Sequence, residues 1–116
     1  YHNPDIVVGR FARMMTTRYT GGTPDQFPDR YTAIDASSHI TAKAPPTLLI
    51  IPQSDHLLEQ AAADAFAAKA RAAGVTTRLI HMPYAEHSFD IKSGSIGNQM
   101  VRQTMLRFLF EQGLNP

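Results

Sequence analysis

The 116-residue chain contains no cysteine, which excludes disulfides and thiolate metal sites and leaves the redox compartment open. It has no apolar run near the ~18–20 residues that a membrane-spanning helix needs. It has no excess of one charge: 11 Lys and Arg stand against 10 Asp and Glu, for a formal net charge of +1. These are scattered, so no basic stripe points to nucleic acid and no charge block to a disordered tail. Internal repeats and low-complexity linkers are also missing. The first residue is Tyr1 rather than Met, and an amphipathic pattern is already running by Ile6. The chain is therefore expected to be truncated, processed or a fragment, and the lack of a leader says little. A cytoplasmic location is the working expectation. What remains is ordinary for one small globular domain, with 43% hydrophobic and 18% charged residues.

Asn3-Pro4-Asp5 has the residues of a helix start: a cap, a proline suited to the first turn, and an acid that complements the helix dipole. Val7, Phe11, Met14 and Met15 recur at helical spacing, which predicts a helix over about 4–19, with Met14 and Met15 in the core. Gly21-Gly22-Thr23-Pro24 ends it, residues 20–30 read as loop, and a helical turn is expected around 31–34. The run 48–51 is short, wholly apolar and preceded by Pro45-Pro46, as suits a strand covered on both faces. The alanine-rich stretch 58–73 predicts a helix whose packing face includes Ala62, Phe66 and Lys69, with Gly74 just past its end. A second strand is expected over 75–82, a loop over 83–96, and a final helix over about 98–112. Met100, Val101, Thr104, Met105, Phe108 and Leu109 would line that helix's inner stripe. Residues 1–44 thus form a helix-and-loop part, which is a candidate to line a pocket through Ile6, Val7, Val8 and Phe11 or to serve only as packing. Residues 45–116 form a strand–helix–strand–helix unit.

A strand–helix–strand unit is a right-handed crossover between parallel strands, so both C-terminal strand ends open on one sheet edge. Asp55 follows the first strand and His87 the second. Neighbouring strands lie ~4.8 Å apart, close enough for their end loops to bring a carboxylate to an imidazole. Such an acid fixes the imidazole tautomer, and the imidazole moves a proton between nucleophile and leaving group. By pattern alone Asp55 also fits a turn or helix cap, and His87 an ordinary loop residue.

The ordered motifs Pro45-Pro46-Thr47-Leu48, Asp55, Ala73-Gly74-Val75 and Pro83-Tyr84-Ala85-Glu86-His87-Ser88-Phe89 narrow the choice. With the closing Phe108-Leu109 helix, they resemble the C-terminal part of α/β-hydrolase esterases and lipases, particularly the hormone-sensitive-lipase-like family. The resemblance covers about residues 19–114. It implies an α/β fold, Asp55 as triad acid, His87 as triad base, a small acyl ester as substrate, and no cofactor or metal. It also implies a partner: the N-terminal part of the same protein, with the nucleophile and oxyanion hole. The family usually has glycine where Pro52 stands, and often where Ser88 stands.

The sequence contains no Gly-x-Ser-x-Gly elbow and no His-Gly-Gly oxyanion segment. Ser93-Gly94-Ser95-Ile96-Gly97 is the nearest string, but it lacks the first glycine, follows the base and follows no strand, so 94–97 reads as a flexible loop with Ser95 near the N-terminus of the last helix. The expectation is the last third of a carboxylic ester hydrolase, inactive alone. Two rivals stand beside it: a non-catalytic binding protein of the same fold, and a small module that self-associates through an exposed sheet edge. His81 and His87, with Glu86 and Asp90 nearby, have no recognised metal-ligand spacing.

Overall fold

The computed structural model describes residues 4–114, with side chains from residue 9 onward. The expected cap Asn3, and the side chains of Ile6, Val7 and Val8, lie outside the described residues. The element order is α1 (Pro4–Thr20), α2 (Pro28–Ile34), a 3-10 turn (Ala36–His39), β1 (Thr47–Pro52), α3 (Gln60–Ala72), β2 (Thr77–Met82) and α4 (Ile96–Glu111). This is an α/β arrangement whose sheet, among the described residues, has two parallel strands. The register runs from Thr47 beside Thr77 to Pro52 beside Met82.

Side chains alternate across a strand, and that alternation assigns a helix to each face. On β2, His81 points toward α3 and meets Asp64. Arg78, on the opposite face, lies over the α4 ring of Phe108 and pairs with Glu111 at 2.6 Å. The buried apolar residues Ala67, Ala70, Val75, Met82, Ala85 and Phe108 gather along this sandwich. Small residues on α3 let the helix backbone approach the sheet closely. Gly74 closes α3 in the left-handed region at φ 84°, with Val75 N–H donating to Ala70 O at 3.0 Å.

Several expectations need correction. The buried face of α3 is Ala67 and Ala70 with half-buried Ala63 and Phe66, while Ala62 and Lys69 are exposed. Lys69 instead donates to Ser37 O at 2.6 Å. Met14, Met15, Met100 and Met105 were expected in the core and are 44–49% exposed. Two strands offer too little apolar surface to cover three amphipathic helices, so one side of each stripe stays uncovered. Helix α2 begins at Pro28, inside the expected loop, because a proline with its fixed φ is favourable in a first helical turn. Helix α3 begins at Gln60, later than expected, because residues 55–58 are drawn into a turn around the Asp55 carboxylate.

Residues 20–31 form a tight clasp rather than a loose loop. Thr20 Oγ1 donates to Gly22 O at 2.8 Å, Tyr31 Oη to the same oxygen at 2.9 Å, and Arg30 Nη1 to Thr20 O at 2.6 Å. A Cβ on Gly22 would stand 2.5 Å from the Phe27 ring, so any larger residue there would displace that ring.

Candidate active site

Backbone pairing does not stop at the strand ends. Gln53 N–H donates to Met82 O and Ser54 N–H to Ala85 O, each at 2.9 Å. These bonds carry the pairing of the two segments to within one residue of Asp55 and two of His87. The strand register would set Asp55 opposite Ala85, and the turn at Pro83-Tyr84 supplies the extra length that lets His87 reach it.

His87 Nδ1–H donates to Asp55 Oδ2 at 3.0 Å. The other carboxylate oxygen, Oδ1, accepts from Leu57 N–H at 2.7 Å and Leu58 N–H at 2.9 Å. Only 1% of the Asp55 side chain is exposed, against 46% of His87. Desolvation raises the Asp55 pKa. The hydrogen bonds from Leu58, His87 and Leu57 outweigh it, and the carboxyl is held below its ordinary value of 3.8. The acid is therefore an ionised, immobilised acceptor. The Nε2 atom of His87 makes no hydrogen bond among the described residues, and the ring borders a cavity of about 250 Å³ shared with Ile50, Leu58, Phe89 and Val101.

The base loop carries local strain. Tyr84 at φ 57° and Ser88 at φ 62° bracket His87, and they are the non-glycine residues with positive φ among those described. An L-residue there crowds Cβ against the backbone, at about 1–2 kcal/mol each. Ser88 occupies the position where glycine was expected from the resemblance, and its φ supplies the reason. Behind the loop, Gly97 of α4 sits against Phe89, whose carbonyl oxygen would be 2.5 Å from a Cβ. Gly97 is thus inside a helix and closely packed, not part of a flexible loop.

Ser95 is the N-cap of α4: its Oγ accepts from Asn98 N–H at 3.1 Å. It is engaged in a structural role and ends the loop that follows His87. His81 Nε2–H donates to Asp64 Oδ1 at 3.0 Å, while its Nδ1 is buried without a partner. It belongs to the α3 face of β2 and does not share a centre with His87. Among the described residues, no three His, Asp or Glu side chains gather closely enough to hold a metal ion. No helix among them is long and apolar enough to cross a membrane.

Parallel strands that deliver a carboxylate and an imidazole to one edge, with helices on both faces, place the chain in the α/β-hydrolase fold class. It belongs to the prolyl oligopeptidase family, whose model matches residues 7–113. Comparison with curated proteins and with solved structures returned no match. The earlier resemblance thus names a different branch of hydrolases from the one that matched, and the two agree on the serine-hydrolase type of fold. Composition and periodicity did not point to the Leu57 and Leu58 amides or to the strained Tyr84. The only signal for the amides was an Asp three residues after a strand-ending proline, a pattern that also fits an isolated turn.

Proposed function

We propose that this chain carries the acid and base of a serine hydrolase that cleaves carboxylic esters, with the nucleophilic serine borne outside these 116 residues. The observation that carries the reading is the division of labour on Asp55. One oxygen is occupied by two backbone N–H groups, and the other is directed at Nδ1 of a half-exposed imidazole. With Nδ1 protonated, Nε2 presents a lone pair on the cavity side. In the reaction, Nε2 takes the serine hydroxyl proton as the oxygen attacks the ester carbonyl, and Asp55 stabilises the resulting imidazolium. The same proton then passes to the departing alkoxide, and water repeats the sequence on the acyl-enzyme.

The ester preference rests on the order of the esterase-like motifs. The family description favours peptide hydrolysis as a second reading, because the same pair can protonate an amine leaving group. Paired assays separate the two: a p-nitrophenyl butyrate against a prolyl p-nitroanilide, with a longer product of the same gene that bears a serine elbow. The ester is expected to turn over faster, and His87→Ala is expected to lower kcat by about a thousandfold or more. The 116-residue chain alone is expected to show no burst and no labelling by a fluorophosphonate. Labelling of Ser95 with accompanying turnover would overturn the assignment of the nucleophile.

A further inference from the structure

A second cleft, of about 370 Å³, opens between α1 and the acid-bearing loop. Ala12, Leu57 and Leu58 give it apolar walls. Gly9, inside α1, leaves its floor bare. A Cβ at Gly9 would stand 3.4 Å from Arg13 Nη1, so the guanidinium lies back along the helix over an uncovered stretch of backbone. Side chains on a helix lean toward its N-terminus, which brings Arg13 over the residue four before it. Glycine is disfavoured in a helix interior. Here it leaves the helix backbone beneath the guanidinium without a side chain. Arg13 makes no ion pair among the described residues. Glu59 lines the cleft too, yet lies beyond ion-pair distance of Arg13, and its side chain does not cap α3.

Leu58 connects this cleft to the candidate active site. It lines both cavities, and its N–H holds the Asp55 carboxylate at 2.9 Å. We infer that the cleft binds a ligand with an apolar body and a carboxylate end: the body lies against Leu57, Leu58 and Ala12, and the carboxylate is gripped by the planar fork of Arg13. Its reading as the distal end of the substrate rests on the ester hydrolysis proposed above, whereas the binding itself does not.

The test is a titration of the ¹⁵N-labelled 116-residue chain with 3-phenylpropionate and with the neutral 3-phenylpropanamide. The carboxylate is expected to bind about tenfold more tightly, with amide shifts concentrated at Gly9, Ala12, Leu57 and Leu58. Arg13→Gln should abolish the preference, Arg13→Lys should retain part of it, and Glu59→Gln should tighten the carboxylate by removing a like charge. Absence of shifts at those amides, or a preference that survives Arg13→Gln, would overturn the site. No bond is broken in this measurement. A failed esterase assay therefore leaves the cleft standing, and a silent titration leaves the Asp55–His87 pair standing.

Discussion

Ser54 and Ala85 are joined by a backbone hydrogen bond of 2.9 Å beyond the ends of their strands. The bond belongs to no regular element, yet it is what makes Asp55 and His87 neighbours. It clamps the two loops one residue before the acid and two before the base. The side-chain contact then closes across a frame that the backbone has already set, which lowers the entropy cost of holding two loops in one geometry.

The frame makes the Asp55 carboxylate costly to remove. Asp55→Ala leaves the Leu57 and Leu58 N–H groups without their acceptor, at about 1–3 kcal/mol. Asp55→Asn keeps an oxygen for those amides and should cost less. Urea unfolding is expected to rank wild type above Asn and Asn above Ala. In both variants a downfield Nδ1 proton of His87 should disappear from the proton spectrum.

Gly97 positions α4 against the base loop. Gly97→Ala drives a Cβ into the Phe89 carbonyl, which is backbone and cannot swing away. The expected cost is about 1–3 kcal/mol, despite alanine's better helix propensity. At Gly94, where nothing lies within 4 Å but φ is 76°, alanine should cost only the strain of about 1 kcal/mol. Equal thermal shifts for the two variants would contradict the close packing.

Strain around His87 should be removable. Tyr84 is 96% exposed, so Tyr84→Gly loses almost no packing while it relieves the left-handed conformation. Ser88→Gly acts likewise. Each is expected to raise stability, by up to about 1 kcal/mol, as a small increase in Tm. A fall in Tm for both would mean that these side chains have contacts that compensate for their backbone.

The acid side of the stability curve has an assignable origin. Hydrogen bonds from the Ser37 and Ser38 hydroxyls and the Ser37 N–H lower the Asp35 pKa from 3.8 to about 2. Asp55 is also held below 3.8. A carboxyl with a depressed folded pKa binds fewer protons in the folded state than in the unfolded one. Stability is therefore fully present above about pH 4 and falls as pH drops toward 2. Urea midpoints measured from pH 5 to pH 2 should decline, and an Asp35→Asn, Asp55→Asn double variant should show a flatter decline.

Much of this architecture was legible before folding was considered. Strand, helix, strand and helix appear in the expected order because Leu48–Ile51, the alanine run and the stripe around Phe108 each have a strong local period. Gly74 ends α3 because only a left-handed residue continues that turn cheaply. The core was less legible. Helical spacing identified an apolar stripe at Met14, Met15, Met100 and Met105, but burial depends on what covers the stripe, and here little does. Ser95 was placed near the last helix. Its hydroxyl proved to be the cap itself, a role decided by the Asn98 N–H.

The sequence by itself determined that Asp55 would follow one parallel strand and His87 the next. Local propensity and the handedness of the crossover are short-range effects, so neighbouring residues specify them. Tertiary structure alone decided that Asp55 and His87 lie 3.0 Å apart, that two amides occupy the second carboxylate oxygen, and that Tyr84 and Ser88 are strained to permit it. Those outcomes depend on distances of a few tenths of an ångström between residues about thirty positions apart. Only the folded sheet, with the backbone bond between Ser54 and Ala85 beyond its strand ends, fixes distances of that kind.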